Sequence, residues 1–488
     1  MLKIKNTAVF YIIILAYIFM NAYVLLYERS MFYAFNLVPF VLLILFLAIM
    51  DIEKVMYVMI FSAPLSVGLK ELGLTQGIDL SMPCEPLMAG IMLIYFLNEI
   101  NHGVTPSRIL RHPVTIILFI QLGWIVFTTI TSQLPVISIK FLIARLWFVT
   151  SCYFMTVQLF RKKGNMIRFM MVYATALCVV CIITTVKHAS YGFDEKTADW
   201  IVSPFYNDHT AYGCALAMFI PVFIGFLFMT KLSFWTRLFS LGVLTILLVS
   251  IVISYARAGW LGLFAAAGVL ATLLLRIKFR TILVTIGAGL ILFLSFQSEI
   301  FMMLGRNTTD SDGDFTANLE SMTNISTDVS NLERINRWNS ALRMFKEKPL
   351  VGFGPGTYQF LYAPFQKSNE KTYISTNFGD HGNAHSEYLG PLSEQGLPGA
   401  LIVVALILSV LFMGYRLVYR VKDRTMKIFT ISVLLGLCTY FVHGFLNNFL
   451  DTDKASVPFW GFIAMLVCID VYYKDEPLVD NGRTEEVV

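Results

Sequence analysis

The sequence predicts an all-α membrane protein: a polytopic bundle of about 12–14 transmembrane helices with one large, mostly helical loop outside the membrane. Of its 488 residues, 57% are hydrophobic and 14% are charged, whereas a typical soluble domain carries about 25% charged residues. Water-soluble folds need more charged surface than this. The composition therefore excludes a soluble enzyme, a disordered chain and a fibrous repeat protein.

Apolar segments that approach the roughly 20 residues needed to cross a bilayer occur fourteen times. They are centred on 7–27, 31–50, 55–69, 83–98, 114–132, 137–159, 166–187, 209–229, 238–255, 258–275, 281–298, 398–415, 427–446 and 457–473. Pro64 interrupts the third segment, and Pro83 and Pro86 open the fourth. A re-entrant course for these two would leave twelve spans with the same sidedness. The first segment is too long for the apolar part of a signal peptide, so we expect a retained span.

The distribution of basic residues predicts the orientation of the bundle. With the N-terminus placed in the cytoplasm, 21 of the 37 basic residues fall in cytoplasmic segments and eight fall in the long segment 299–397. Because Lys and Arg concentrate in cytoplasmic loops, we predict cytoplasmic termini and an extracytoplasmic loop at 299–397. The remaining parts are then a transmembrane bundle at 1–298, C-terminal spans at 398–473 and a cytoplasmic tail at 474–488.

The pattern within this loop predicts two helices. Residues 305–331 are polar and typical of a flexible loop. Apolar residues then recur at helical spacing until Pro349, which is expected to end the first helix. They are Leu332, Ile335, Trp338, Leu342 and Phe345. A second, shorter helix is expected to begin near Ala384 or His385 and to end at Gly396.

Basic side chains at the outer edge of the bundle are the first candidates for function, because ionisable groups in a membrane are costly. Arg257 lies where two apolar runs meet, and it either binds substrate or reaches lipid headgroups. Lys140 and Arg145 share the 137–159 span and predict a polar cavity or a structural ion pair. Arg334 and Arg337 lie on one face of the first loop helix at i and i+3. Convergent arginines suit a phosphate or diphosphate, whose oxygens guanidinium groups bind through forked hydrogen bonds.

His385 is the candidate general base. A position in the first turn of a helix would lower its pKa and favour the neutral imidazole, which suits deprotonation of a hydroxyl. Asn207 and His209 stand at the start of another span on the outer side. They are predicted either to bind a sugar or pyrophosphate or to belong to a stretch that caps the helix. Trp338 and Glu387 complete the predicted substrate-binding set. Polar residues at a further span end give a weaker signal: His443, Asn447, Asn448 and Asp451. No metal site and no cofactor are predicted.

Four stretches resemble the bacterial O-antigen ligase and O-antigen polymerase superfamily, specifically between about residues 200 and 400. They are Ser203-Pro-Phe-Tyr-Asn-Asp-His209, Ser254-Tyr-Ala-Arg257, Arg334-Ile-Asn-Arg-Trp338 with Lys348-Pro-Leu-Val-Gly-Phe-Gly-Pro-Gly356, and Ala384-His-Ser-Glu-Tyr-Leu-Gly-Pro-Leu-Ser-Glu-Gln-Gly396. The resemblance implies an inverting, metal-independent glycosyltransferase of the bacterial inner membrane, with the large loop in the periplasm. The donor would be a glycan on undecaprenyl diphosphate, and the acceptor a lipid A-core sugar or another glycan. Membrane lipids would surround the protein, and no nucleic acid would bind.

The resemblance also implies roles for individual residues. Arg257 and Arg334 would bind the diphosphate, and His385 would activate the acceptor hydroxyl. The arginine motif of the family is Arg-x3-Leu, but Trp338 or Ala341 stands at the fourth position after Arg334 or Arg337. Which of these two arginines contacts the diphosphate therefore stays open.

Two alternatives compete with a ligase. The first is a polymerase that joins lipid-linked repeat units, which the spacing Arg343-x10-Gly354 favours. Polymerases tend to carry two sizeable outside loops, whereas this sequence has one. The second is a lipid-linked glycan transporter, for which charged residues near the midplane and two matching halves are typical. In this sequence the charges cluster at the outer face instead.

Overall fold

The computed structural model describes residues 7–27, 29–72, 80–295, 329–372, 374–376 and 382–475. These residues are mostly helical, with one short hairpin in which β1 (Val67–Gly68) pairs antiparallel with β2 (Ser81–Met82). The predicted all-α class is therefore confirmed. Most of the predicted flexible loop (305–328) and of the predicted tail (476–488) lies outside the described residues.

The helices have the following bounds in chain order. They are α1 (Thr7–Tyr27), α2 (Arg29–Met50), α3 (Ile52–Ser62), α4 (Cys84–His102), α5 (Ser107–Leu110), α6 (Pro113–Ile130), α7 (Pro135–Leu159), α8 (Gly164–Ala189), α9 (Glu195–Ile201), α10 (His209–Phe228), α11 (Phe234–Ile253), α12 (Arg257–Leu274), α13 (Phe279–Ser295), α14 (Val329–Glu347), α15 (Tyr358–Leu361), α16 (Leu389–Arg420), α17 (Arg424–His443) and α18 (Asp453–Tyr473). In α7 the residues Thr150–Met155, and in α18 the residues Ile469–Tyr473, form π-helical turns.

Nine helices within the described ranges are long and apolar enough to cross a membrane, namely α6–α8, α10–α12 and α16–α18. The multi-pass architecture is confirmed, although this criterion gives fewer spans than the fourteen apolar segments of the sequence. Three further apolar helices, α1, α2 and α13, coincide with the first, second and eleventh of those segments. The third segment yields only the eleven residues of α3, which ends at Ser62, before Pro64.

The chain divides into two compact units, residues 1–58 and 59–488. Within the first unit, α1 and α2 pack together. Their Asn21 and Asn36 side chains exchange two amide hydrogen bonds of 2.8 and 2.9 Å. Such pairing satisfies polar groups for which a bilayer offers no partner.

The core of the second unit consists of α10, α17 and α18, whose residues are mostly buried. Small residues allow α10 and α17 to approach closely. A side chain at Gly225 would collide with Ser432, and one at Gly436 would lie 2.6 Å from the Met218 carbonyl oxygen. Small residues at helix contacts are typical of membrane bundles, where close packing replaces the hydrophobic effect as the driving force.

Helix α14 and the glycine-rich turn after it pack against α16. The Phe353 amide donates to the Ser393 carbonyl at 3.2 Å, and the Gly354 amide donates to the Glu394 carbonyl at 2.8 Å. Helix α16 is interrupted at Gly396, which has non-helical angles (φ 70°, ψ −171°). The predicted end of a short helix at Gly396 therefore corresponds to a break in one long helix. This break lets the Leu397 amide donate to the Pro349 carbonyl at 2.8 Å.

The contact between the turn and α16 depends on Gly352, which predicts a sensitive position. Its φ of +67° lies in the left-handed region, and an added Cβ would collide with the Glu394 backbone. We expect Gly352→Ala to lower the free energy of unfolding by roughly 2 kcal/mol or more. Gly268→Ala in α12 is the control, because Gly268 has open space around it. Thermal unfolding of both purified variants measures the difference, and equal melting temperatures would contradict the prediction.

Candidate functional site

A cavity of about 270 Å³ opens between α7, α16 and α17 and the segments 383–388 and 444–451. Its polar lining residues include Arg145, Glu387, Glu394, Asn448 and Asp451. Its apolar lining residues include Phe141, Leu406, Phe441, Phe459 and Trp460. A cavity lined by both kinds of side chain fits a ligand that has polar and apolar parts.

Glu387 is the most heavily bonded carboxylate of this cavity. Its Oε1 atom accepts from the Tyr440 hydroxyl at 2.6 Å and from the amides of Phe449 and Leu450 at 2.8 and 2.9 Å. Burial, and next the charge of Asp451, raise the pKa of Glu387 to about 7. The carboxyl group therefore changes its charge near neutral pH, inside the cavity.

Arg145 forms an ion pair across the cavity wall. Its Nη2 atom lies 2.9 Å from Asp451 Oδ1, and its guanidinium stacks over the Phe141 ring at 5.2 Å. The Arg145 side chain is 10% exposed, whereas 50% of the Asp451 side chain is accessible. Both residues line the cavity. The sequence predicted either a polar cavity or an ion pair at this span, and Arg145 has both: it lines the cavity and pairs with Asp451.

Glu394 was not predicted from the sequence, although it lies inside the last motif. Its two carboxylate oxygens accept from the amides of Gly356 and Tyr358 at 3.0 and 2.9 Å. The glycine-rich turn is thus fixed to α16 through a carboxylate that also lines the cavity. The signal in the sequence that could have indicated Glu394 is a second glutamate seven residues after Glu387 in the same motif.

His385 does not lie in the first turn of a helix, and that expectation is wrong. Helix α16 begins at Leu389, and His385 precedes it with a left-handed φ of +46°. Its amide donates to Asn383 Oδ1 at 3.0 Å, and its carbonyl accepts from Trp338 Nε1 at 3.3 Å. One hydrogen bond to the neighbouring Asn383 and one from Trp338 in α14 therefore hold the unusual backbone of His385 in place.

The predicted neutral form of His385 has a different cause from the one expected. Burial, followed by the charges of Arg337 and Arg334, lowers the pKa of His385 to about 3. A hydrogen bond with Asn447 opposes this shift. The imidazole is therefore neutral at physiological pH, and the two arginines are near enough to act on it electrostatically.

Arg334 and Arg337 differ in their surroundings. Arg337 is 6% exposed, and its Nε donates to Glu333 at 2.9 Å while its Nη1 donates to the Asn383 carbonyl at 3.2 Å. Arg334 is half-buried and donates to Asn331 at 3.1 Å. Arg337 therefore fastens α14 to the segment that carries His385, and Arg334 is the more accessible of the two.

Arg257 lies at the first residue of α12. Its Nη2 is 3.4 Å from Glu195 in α9, and 32% of its side chain is exposed. Helix α9 belongs to the connection between α8 and α10, which the sequence did not predict to be helical. The 270 Å³ cavity is lined by other residues, so the structure does not bring Arg257 into its wall.

The remaining predicted residues are distributed around this end of the bundle. His209 begins α10 and pairs with Asp199 at 2.9 Å, while Asp208 caps the helix by accepting from the Ala211 amide at 2.7 Å. Asn207 is exposed and lines a second cavity. Lys140 is exposed on α7. The capping residue of this stretch is therefore Asp208, and substrate binding by Asn207 and His209 stays a prediction.

Three buried polar atoms of the first cavity's lining have no hydrogen-bond partner among the described residues: Gln121 Oε1, Asn448 Oδ1 and Trp460 Nε1. A buried polar atom without a partner costs about 1–3 kcal/mol. Each of these three atoms is itself almost inaccessible, so the unpaired groups lie behind the cavity surface.

Comparison with known proteins agrees with the sequence motifs. Residues 241–404 match the family model described as O-antigen ligase. This match confirms the resemblance and supports a membrane glycosyltransferase of ligase or polymerase type. An uncharacterized protein of Haemophilus influenzae is 26% identical over 187 residues, which is 38% of this chain and 45% of the relative. The aligned part of this chain thus spans less than half of the relative's length.

The burial of Arg145 and its ion pair with Asp451 predict that Arg145 contributes more to the stability of the protein than Lys140, the other cation of α7 considered above. We expect Arg145→Ala to lower the free energy of unfolding by about 1–3 kcal/mol, because it removes a buried side chain together with its contacts to Asp451 and Phe141. Lys140→Ala, at an exposed position of the same helix, should change it by about 0.5 kcal/mol or less. Denaturation of the two purified variants side by side tests this, and a Lys140 effect as large as that of Arg145 would refute it.

Glu387 predicts a pH dependence of stability. Between its ordinary pKa of 4.5 and its raised pKa of about 7, the carboxyl is protonated in the folded protein and ionised in the unfolded chain. Stability therefore falls as pH rises through this window. We expect Glu387→Gln to flatten the fall in melting temperature between about pH 5 and pH 8. Glu347→Gln, at the exposed end of α14, should retain the wild-type slope, and identical slopes for both variants would contradict the assignment.

Proposed function

We propose that this protein is an O-antigen ligase-like inverting glycosyltransferase. It moves a glycan from undecaprenyl diphosphate to a hydroxyl group of a lipid A-core or similar acceptor, on the periplasmic face of the bacterial inner membrane. The observation that carries the proposal is the ligase-family match over 241–404. That segment contains Arg257, Arg334, Arg337 and His385, and it forms much of the wall of the amphipathic cavity.

The donor binds through its diphosphate and its hydrocarbon chain. Arg334 and Arg257 supply guanidinium groups for the diphosphate oxygens. Arg334 is the better candidate of its pair, because Arg337 is buried and bonded to Glu333. Ala384 and Ser386, on either side of His385, line the first cavity, and the carboxylates and amides of this cavity face the donor sugar.

The transfer step requires one base and one stabilised leaving group. The acceptor oxygen attacks the anomeric carbon of the donor sugar and gives its proton to His385. The bond between that carbon and the phosphate oxygen breaks, and the diphosphate leaves with the electron pair. Positive charge on the arginines stabilises the negative charge that develops on the leaving group. Attack from the face opposite the leaving group inverts the anomeric configuration.

The low pKa of His385 fits a base that becomes active only when the donor is bound. Burial is the largest cause of the depressed pKa of His385, and the positive charges of Arg337 and Arg334 come next. A bound diphosphate brings negative charge to these arginines and offsets their effect on the imidazole. The pKa of His385 then rises, while burial, the largest cause of its low value, continues to act.

A polymerase would use the same donor chemistry with a second lipid-linked glycan as its acceptor. The Arg343-x10-Gly354 spacing is weak support for it, because the Arg343 guanidinium is bound to Glu370 and to the Phe365 carbonyl. We therefore place the ligase reading first. Reconstitution with two acceptors, a lipid A-core and a second lipid-linked glycan, separates the readings, since preferential use of the second acceptor would favour a polymerase.

The roles of the three catalytic candidates predict the behaviour of their alanine variants. We expect His385→Ala, Arg257→Ala and Arg334→Ala each to reduce transfer by about 100-fold or more, with melting temperatures near that of the wild type. Lys346→Ala, at an exposed position of α14, serves as the control and should keep its activity. Initial rates in proteoliposomes with a lipid-linked glycan measure the effect. Wild-type rates in all three variants would refute the site.

A further inference from the structure

A second cavity of about 300 Å³ lies beside the first. It is bounded by the hairpin, the start of α4, the segment 204–207, the start of α10 and the segment 449–455. Its lining includes Lys70, Glu85, Tyr206, Asn207 and Lys454. Its volume is similar to that of the first cavity, and the proposed roles of the arginines and His385 make no use of it.

One short segment separates the two cavities. Leu450 lines the first cavity, whereas Phe449 and Thr452 line the second. Asp451 lines both. Arg145 holds the Asp451 carboxylate at 2.9 Å, and Glu387 holds the segment through the amides of Phe449 and Leu450. The partition is therefore a fixed stretch of backbone with one carboxylate that faces both sides.

The chemistry of the second cavity suits a sugar better than a diphosphate. Among the described residues that line it, the cations are Lys70 and Lys454. Lys454 already donates to Ser66 at 2.9 Å and to Asp453 at 3.2 Å. Guanidinium groups for forked phosphate binding are absent from this described lining. The lining instead combines rings, which pack against the C–H face of a sugar, with carboxylate, amide and hydroxyl groups that bond to its hydroxyls.

We propose that the second cavity is the binding site for the acceptor sugar, with Asp451 at the point where its reactive hydroxyl meets the donor. This inference rests on the proposed function, and it adds where the acceptor binds. A transferase must bring an acceptor hydroxyl to the anomeric carbon of the donor sugar. Two cavities that share one carboxylate provide that arrangement. Asp451 accepts from a neighbouring hydroxyl of the acceptor sugar and so orients the reactive hydroxyl, whose proton goes to His385, toward the first cavity.

Direct binding of sugar tests the cavity without relying on transfer. The probes are phosphate-free oligosaccharides released from the surface glycolipids of the source bacterium, and saturation-transfer NMR on the full chain in detergent reports their binding. Ala211→Phe places a ring in the second cavity, because Ala211 lines it. Asn207→Ala removes an exposed amide from the lining of the same cavity. Ala189→Phe, at an exposed position that ends α8, is the size-matched control.

The expected result is binding by the wild type and by Ala189→Phe. Ala211→Phe fills part of the cavity and should weaken sugar binding by about tenfold or more. Asn207→Ala removes one polar contact and should weaken sugar binding by about threefold. Inorganic pyrophosphate should not displace the sugar. Equal binding by Ala211→Phe and Ala189→Phe, displacement by pyrophosphate, or lack of binding by the wild type would each overturn the proposal.

Kinetics separate this proposal from the proposed function. In the reconstituted reaction, Asn207→Ala should raise KM for the acceptor about threefold and leave KM for the donor unchanged. Equal changes in both constants would overturn the acceptor assignment while leaving the transferase intact. If the wild type transfers no glycan but binds sugar as described, the proposed function fails, and with it the acceptor role, while the sugar site stands.

Discussion

The carboxylate of Glu387 organises the end of the bundle where the site lies. Its Oε1 accepts three hydrogen bonds from α17 and from the segment before α18, while its own amide donates to the Gly444 carbonyl at 2.8 Å. Glu387 thus connects the segment that carries His385 to the turn between α17 and α18. Without it, the partition at 449–452 and the polar lining of the first cavity would lose their common support.

Much of the architecture follows from hydrophobic pattern alone. Long apolar runs predict helices in a bilayer, because only helices and closed barrels satisfy their backbone groups there. Residues such as Gly396 and Pro349 also marked real interruptions. The length of a span is less certain from composition, since segment 55–69 has the composition of a span but yields the eleven residues of α3, which ends before Pro64. Composition does not reveal where tertiary packing ends a helix.

The candidate site was predictable in its residues but not in its geometry. Arg334, Arg337 and His385 stood out because polar groups at a membrane edge are costly, and the structure brings the charges of both arginines to bear on His385. The helical position assigned to His385 was wrong, because its left-handed backbone depends on Asn383 and Trp338, one of them in another helix. Pairs such as Arg145 with Asp451 are separated by about 300 residues, and no local pattern indicates such a contact.

The shared position of Asp451 has a thermodynamic consequence. A carboxylate that faces two cavities experiences the charge and the hydration of both, so a ligand that enters one cavity changes the free energy of binding in the other. Such coupling is reciprocal by necessity: whatever factor the first ligand applies to the affinity of the second, the second applies to the first. Because Arg145 holds the carboxylate at 2.9 Å, coupling of this kind would act through charge and would need no movement of the helices.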